Sequence, residues 1–188
     1  MNLIDALAQR RSVPSRLLGE PGPSEAQTRT LLEAALRVPD HGKLAPWRLL
    51  RIRGEARHVL GERLAARALE LDPHAPAAAV EKDRQRFGFA PLVIAVVATP
   101  VEGHKVPVVE QLMSGGAVCF ALLQAAQGLG FGAQWLTGWA AYDRVILDGL
   151  GLAPHEQLLG FIHIGTASGE APERLRPALA EKLADWTP

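Results

Sequence analysis

The chain reads as an α+β or α/β sandwich, with one sheet lying between helical layers. Three observations predict this. Helical and strand patterns interleave from end to end, which favours a sheet covered by helices. "LVIAVVA", residues 92–98, is a continuous apolar run of strand length, the pattern of a strand buried on both faces. The 188 residues fit a single domain, 1–188, long enough to bury a real core.

The elements follow in order. An N-terminal helix carries Leu3, Ile4 and Leu7 at helical spacing, and Pro14 prevents its continuation. Ser24 with Gln27 three residues on forms a capping box, opening a helix that runs to about Arg37 with Leu32, Ala35 and Leu36 on one face. "VPDHGKLAP" breaks it, and "WRLLRIR" (47–53) is a strand. Ala-rich, charged stretches from Glu55 to Leu71 and from Ala77 to Phe87 are helices. After the apolar strand and "HKVP" comes the longest helix, about Val108 to Gly128. Its second half is apolar nearly all round, so it must be covered on every side. It is either the centre of one subunit or packs in part on a twin, and both remain open. Gly128 is expected to end it in a left-handed cap, with Gly130 and Gly132 giving a tight entry to a strand at 131–136. A helix from Tyr142 to Leu150, a last core strand at 158–165 and a short tail helix, "ALAEKLADW", complete the order.

Composition excludes several classes of function. A formal net charge of +0, with no basic stripe interleaved with aromatics, argues against nucleic acid as a partner. The longest apolar run, Ala90 to Val101, falls short of the roughly 20 residues that span a bilayer, and "MNLIDALAQRRS" has its charges on the wrong side for a secretory signal. Cys119 alone allows neither a disulfide framework nor a cysteine metal site, so a cytoplasmic protein is expected. The six histidines include no i, i+4 pair, and no metal is expected. There is no G-x-S-x-G elbow and no phosphate-binding G-x-x-x-x-G-K loop. "QGLGFG" (127–132) leaves a helix and enters a strand, the reverse of a dinucleotide fingerprint.

Three features survive: "RRS" (10–12), "RVPDHGKLAPW" (37–47) and "GAQWLTG" (132–138). Two arginines and a serine where a helix stops have two readings. Cations at a helix C-terminus complement its macrodipole, with Ser as the turn residue. Alternatively, two guanidinium forks and a hydroxyl grip a phosphate.

Taken together and in order, these motifs resemble the nitroreductase family of FMN-dependent NAD(P)H oxidoreductases. The resemblance covers essentially the whole chain: a first helix closing in "RRS", a proline and histidine loop with "APW" before the first strand, a long apolar helix ending in "GLGFGAQW", and a last strand ending in "GFIHIGTAS". "HKVPVVEQLMSGGAV" (104–118) resembles a compact subgroup. The resemblance implies an α/β/α sandwich with a mostly antiparallel sheet, in an intertwined homodimer holding FMN non-covalently at its interface. It implies a phosphate and ribityl grip at Arg10, Arg11 and Ser12, with Arg37 and His41 reaching the flavin from the other subunit. The segment Trp135, Leu136 and Thr137 would lie along the flavin, and Arg176 would add a further phosphate cation. No protein group is implied as catalytic, because the flavin carries the chemistry. The implied cycle is ping-pong: NAD(P)H gives a hydride and leaves, and a small electron-poor acceptor such as a nitroaromatic or quinone takes its place. Longer members carry a lysine where this chain has Pro14, which leaves Arg37 or Arg16 to stabilise reduced flavin. Specialised flavin chemistry in the same superfamily, or a non-catalytic flavin-binding or dimeric interaction protein, are the alternatives.

Overall fold

The structure, a computed structural model, describes residues 2–187. Five strands form its sheet: β1 (Leu18–Gly19), β2 (Trp47–Arg53), β3 (Leu92–Ala98), β4 (Gly132–Leu136) and β5 (Gln157–Ala167). The order is β1-β5-β3-β2, with β4 also pairing β5, and each pairing is antiparallel. Six helices, α1 (Leu3–Gln9), α2 (Glu25–Ala35), α3 (Glu55–Leu71), α4 (Ala77–Gln85), α5 (Val108–Gly128) and α6 (Arg144–Gly149), lie around it.

The all-apolar β3 works as its composition demands. Val93, Ala95 and Val97 join a core with Leu60 and Leu64 of α3 and Ile146 and Leu147 of α6. Leu92, Ile94 and Val96 join a second core with Leu31 and Ala35 of α2 and Val118, Cys119 and Leu122 of α5. Alternation along one strand therefore cements both layers of the sandwich. The Ser24 box is present in both directions: Gln27 N–H donates to Ser24 Oγ at 3.2 Å, and Ser24 N–H to Gln27 Oε1 at 2.9 Å.

Helix α2 ends at Ala35 and buries Thr28, Leu31 and Ala35, leaving the expected Leu36 exposed. Three further details differ from the sequence expectations. Gly128 is the last helical residue of α5, and the left-handed position is Gly130 at φ +85°. There Phe131 N–H donates to Ala126 O (2.9 Å) and Gly130 N–H to Gln127 O (3.0 Å), the Schellman pair that closes a helix. The expected helix from Tyr142 starts only at Arg144, because the Asp143 side chain accepts from Ile146 N–H at 3.1 Å and caps it there. The expected tail helix is reduced to a single 3-10 turn, Leu179–Glu181. Leu175, Leu179, Leu183 and Trp186 are all exposed, so among the described residues the tail's apolar side chains are not packed in a way that would stabilise a short amphipathic helix.

Helix α5 is long and apolar enough to cross a bilayer by length and composition, yet one side of it packs on α2 and the sheet as a core helix. A stripe at Val109, Met113 and Phe120 stays open, and the exposed Leu3, Ile4 and Leu7 of α1 form another.

Candidate functional site

Helix α1 stops at Gln9, and the two arginines beyond it separate in role. Arg11 caps the helix end: its Nη1 donates to Ala8 O at 2.9 Å and Arg10 O at 3.1 Å, while its Nη2 pairs with Glu173. Arg10 faces elsewhere. Its Nη1 donates to Ser12 Oγ at 3.3 Å, and partial burial followed by the charges of Arg176, Arg174 and Arg11 pulls its pKa below the ordinary value. Among the described residues no carboxylate pairs with Arg10, Arg174 or Arg176. The tail thus returns past β5 and brings the charges of Arg174 and Arg176 within electrostatic reach of Arg10, with the Glu173 carboxylate on Arg11 acting also on Arg176.

Next along the same region, β4 forms part of a cavity of about 610 Å3 lined by Ser15, Arg16, Gln134, Leu136, the cavity face of α4, and Phe89. Gln134 Oε1 accepts from Ser15 N–H at 2.6 Å, tying the segment after "RRS" to β4. Strand alternation puts Gln134 and Leu136 in the cavity lining and turns Trp135 away. The Trp135 indole instead lies over Gly160 and donates to Leu159 O at 3.0 Å. Thr137 follows half-buried, and Gly138 adopts φ +73°.

Gly138 is needed twice, for its backbone and for its lack of a side chain, since a Cβ there would come within 2.4 Å of Arg86 Nη1. Arg86 lines the cavity and is held from behind: Nη2 donates to Asp83 Oδ1 at 2.5 Å, and Asp83 Oδ2 accepts from Trp139 Nε1 at 3.0 Å. Its buried Nε has no partner among the described residues. His163, opposite Gln134 in the β4–β5 ladder, is fully buried with both ring nitrogens unpartnered among the described residues. Burial first, and the nearby Arg86 charge second, push its pKa down to about 4.

Arg37 and His41 lie elsewhere. Arg37 is exposed beyond the end of α2, and His41 Nδ1 meets Glu110 Oε2 at 2.6 Å in the first turn of α5. The Asp40 carboxylate accepts from Leu44 N–H at 3.2 Å and Ala45 N–H at 2.7 Å, stabilising a tight loop in which Gly42, Lys43 and Ala45 have positive φ. Ser114 Oγ of α5 donates to Pro39 O at 2.8 Å, whereas at the other end of the helix Gln127 Nε2 donates to Ala6 O of α1 at 3.0 Å. Thirteen residues separate those anchors, a helical rise of about 20 Å. One chain therefore presents the "RRS" cluster and the Arg37–His41 loop at opposite ends of α5.

The sequence reading missed Arg174, Gln134 and Arg86. Arg174 precedes Arg176 by two, the spacing that shares a side of extended chain, and Gln134 sits on the face opposite Trp135 by strand period, so both had a signal. Arg86 had none, because its role depends on Gly138 from a distant strand end.

A family model described as the nitroreductase family matches residues 7–166. The chain belongs to the nitroreductase family. Over all 188 residues it is 38% identical to a protein of Escherichia coli (strain K12) named "Putative NAD(P)H nitroreductase YdjA", covering 97% of that protein. Its fold superposes on a nitroreductase-like family protein from Bacillus cereus with a TM-score of 0.83, at 22% identity over 99% of this chain and 96% of the other. A nitroreductase structure from Desulfovibrio desulfuricans in complex with FMN matches with a TM-score of 0.74 and 25% identity, over 100% of this chain and 98% of that one. The family match includes "RRS", Arg37, His41 and residues 135–137, and ends before Arg174 and Arg176.

Proposed function

We propose that this nitroreductase-family chain is an FMN-dependent oxidoreductase that uses NAD(P)H to reduce a small electron-poor molecule. The observation that carries the reading is Arg10 donating to Ser12 Oγ, with no carboxylate on it among the described residues and with Arg174 and Arg176 within electrostatic reach. This donor set fits a phosphate dianion, which preorganised guanidinium forks bind strongly. Arg11 supports the grip from behind by fixing the end of α1 and by holding the tail through Glu173.

FMN, when bound, supplies the hydride chemistry between nicotinamide and acceptor. The cavity between Ser15, Gln134 and α4 lies within the usual range of ligand pockets and suits a flat ring. Along it, the backbone of Trp135, Leu136 and Thr137 offers donors and acceptors, and Leu136 and Phe89 exclude water. Arg86 takes the place of the lysine that longer members carry at the position of Pro14, since its guanidinium lines the cavity and Asp83 fixes its direction. Arg16 also lines the cavity, whereas Arg37 lies at the far end of α5 and reaches it only from the partner subunit.

The separation of the two clusters supports a homodimer in which the partner subunit's Arg37 and His41 complete the site. The open stripes of α1 and α5 and the apolar tail are surfaces such a dimer would cover. The names of the E. coli relative and of the FMN-bound Desulfovibrio structure support the cofactors, and a cytoplasmic setting belongs with a nicotinamide donor.

The test is the visible spectrum of protein purified without added cofactor, with mass identification of what it releases. FMN near one per chain is expected. Colourless protein that also refuses added FMN would overturn the assignment.

A further inference from the structure

The cavity beside β4 has an uneven charge balance. Helix α4 presents Ala78, Glu81, Lys82 and Gln85 to it, the i, i+3, i+4, i+7 stripe of one helical face, while Val80 and Asp83 on the other side are buried. Arg16 faces it from the segment after "RRS". Most of the charges there are already satisfied. Glu81 is held by Arg84 at 2.5 Å, which Glu62 shares, and by Gln85 Nε2 at 2.6 Å, and Arg86 is balanced by Asp83. Lys82 and Arg16 are exposed, and among the described residues neither pairs with a carboxylate. The cavity lining therefore carries two exposed cations that no carboxylate pairs among the described residues, beside the apolar Leu136 and Phe89.

An apolar slot with uncompensated cations at its rim selects for a flat molecule with a negative edge. We infer that the electron acceptor of this site is an anionic aromatic, a nitroarene or quinone bearing a carboxylate, whose charge meets Lys82 and Arg16 while its ring enters the slot. The inference rests on the cavity being the flavin site. A nicotinamide coenzyme visits the same slot, and its adenosine end would extend out of a cavity of about 610 Å3 across that rim, so its phosphates are the competing anion from which the titration separates the acceptor.

The experiment uses the FMN-loaded protein and two unreactive probes of equal shape, benzoate and benzamide, titrated at low salt and read by the flavin difference spectrum. Benzoate is expected to bind about tenfold more tightly, the sum of two exposed ion pairs, and to lose that advantage at high salt. Lys82→Met should shrink the ratio by about threefold, and Lys82→Glu should bring it to one or below. Flavin content per chain should be the same in both variants. Equal binding of the two probes to the unaltered protein would overturn the inference, as would a ratio unmoved by Lys82→Glu. If Lys82→Glu strips the flavin, Lys82 belongs to the cofactor's own grip and the inference also falls. A discriminating effect on NADPH against NADH, with benzoate and benzamide alike, would place the anion on the coenzyme and overturn it too. Protein that takes up no flavin fails the cofactor reading itself, which the absence of the visible flavin band reports before any probe is added.

Discussion

The two ends of α5 are built in opposite ways. At its C-terminal end, Arg10 has no carboxylate partner among the described residues and feels the charges of Arg174 and Arg176, a few residues before the segment that lines the cavity. At its N-terminal end, His41 is matched by Glu110, and Asp40 and Ser114 satisfy the backbone of the loop that carries it. The first region keeps cations free for an anion, and the second is already paired in the free chain. The difference supports the proposal that the C-terminal end is a receptor and the N-terminal end a presenting surface that reaches a flavin only from a twin.

The largest effect should come from removing what holds the two ends in one rigid body. Leu122 is fully buried in the middle of α5, and Leu122→Ala should cost about 2–5 kcal/mol of folding stability, read by denaturant unfolding. Protonation of the buried layer under the cavity comes next. The folded-state pKa of His163 is depressed to about 4 from 6.5, so the unfolded chain binds the proton more readily. Its contribution is then complete above pH 6.5 and fades as pH falls towards 4, by about 3 kcal/mol at most. His163→Leu should flatten that part of the stability profile, and an unchanged slope would assign it to other groups.

The receptor end itself is tested by Arg10→Ala, which should weaken FMN by about 10–100-fold, the worth of a charge-assisted contact, while leaving riboflavin nearly unaffected. Equal loss of both would remove the phosphate role. The same change at Arg11, which is tied to Ala8 O and Glu173, should cost FMN only about threefold. A larger loss at Arg11 than at Arg10 would reverse the assignment of the two arginines. The comparison is sharpened last by dilution: if the presenting end acts in trans, flavin should leave as the dimer dissociates, and a monomer that keeps its flavin would break it.

Much of this was legible in the residues. The strands at 47–53 and 92–98 and the helices at 55–71 and 108–128 have the expected bounds, because period and burial agree there. The tail helix was misread because an amphipathic pattern states which face should be buried and not whether a surface exists to bury it. At "RRS" the capping reading holds for Arg11, whereas Arg10 makes no bond to the helix end and is left for the proposed phosphate grip. No local rule separates two adjacent arginines, since the distinction is made by Glu173 and Arg176, more than 160 residues away in the chain.

By itself the sequence determined the sandwich and its two-faced central strand, through hydrophobic period, caps and breakers that act within a few residues. It also carried, as an ordered set of motifs, the family to which the chain belongs. Only the tertiary structure decided that Arg86 stands against Gly138 and is held by Asp83, that Gln134 rather than the Trp135 side chain lines the cavity, and that the two halves of the expected flavin site lie about 20 Å apart along one helix. The physical reason is that charge and exposure are properties of neighbourhoods. A guanidinium becomes a cap, a clamp or a receptor according to the carboxylates and carbonyls that folding brings to it.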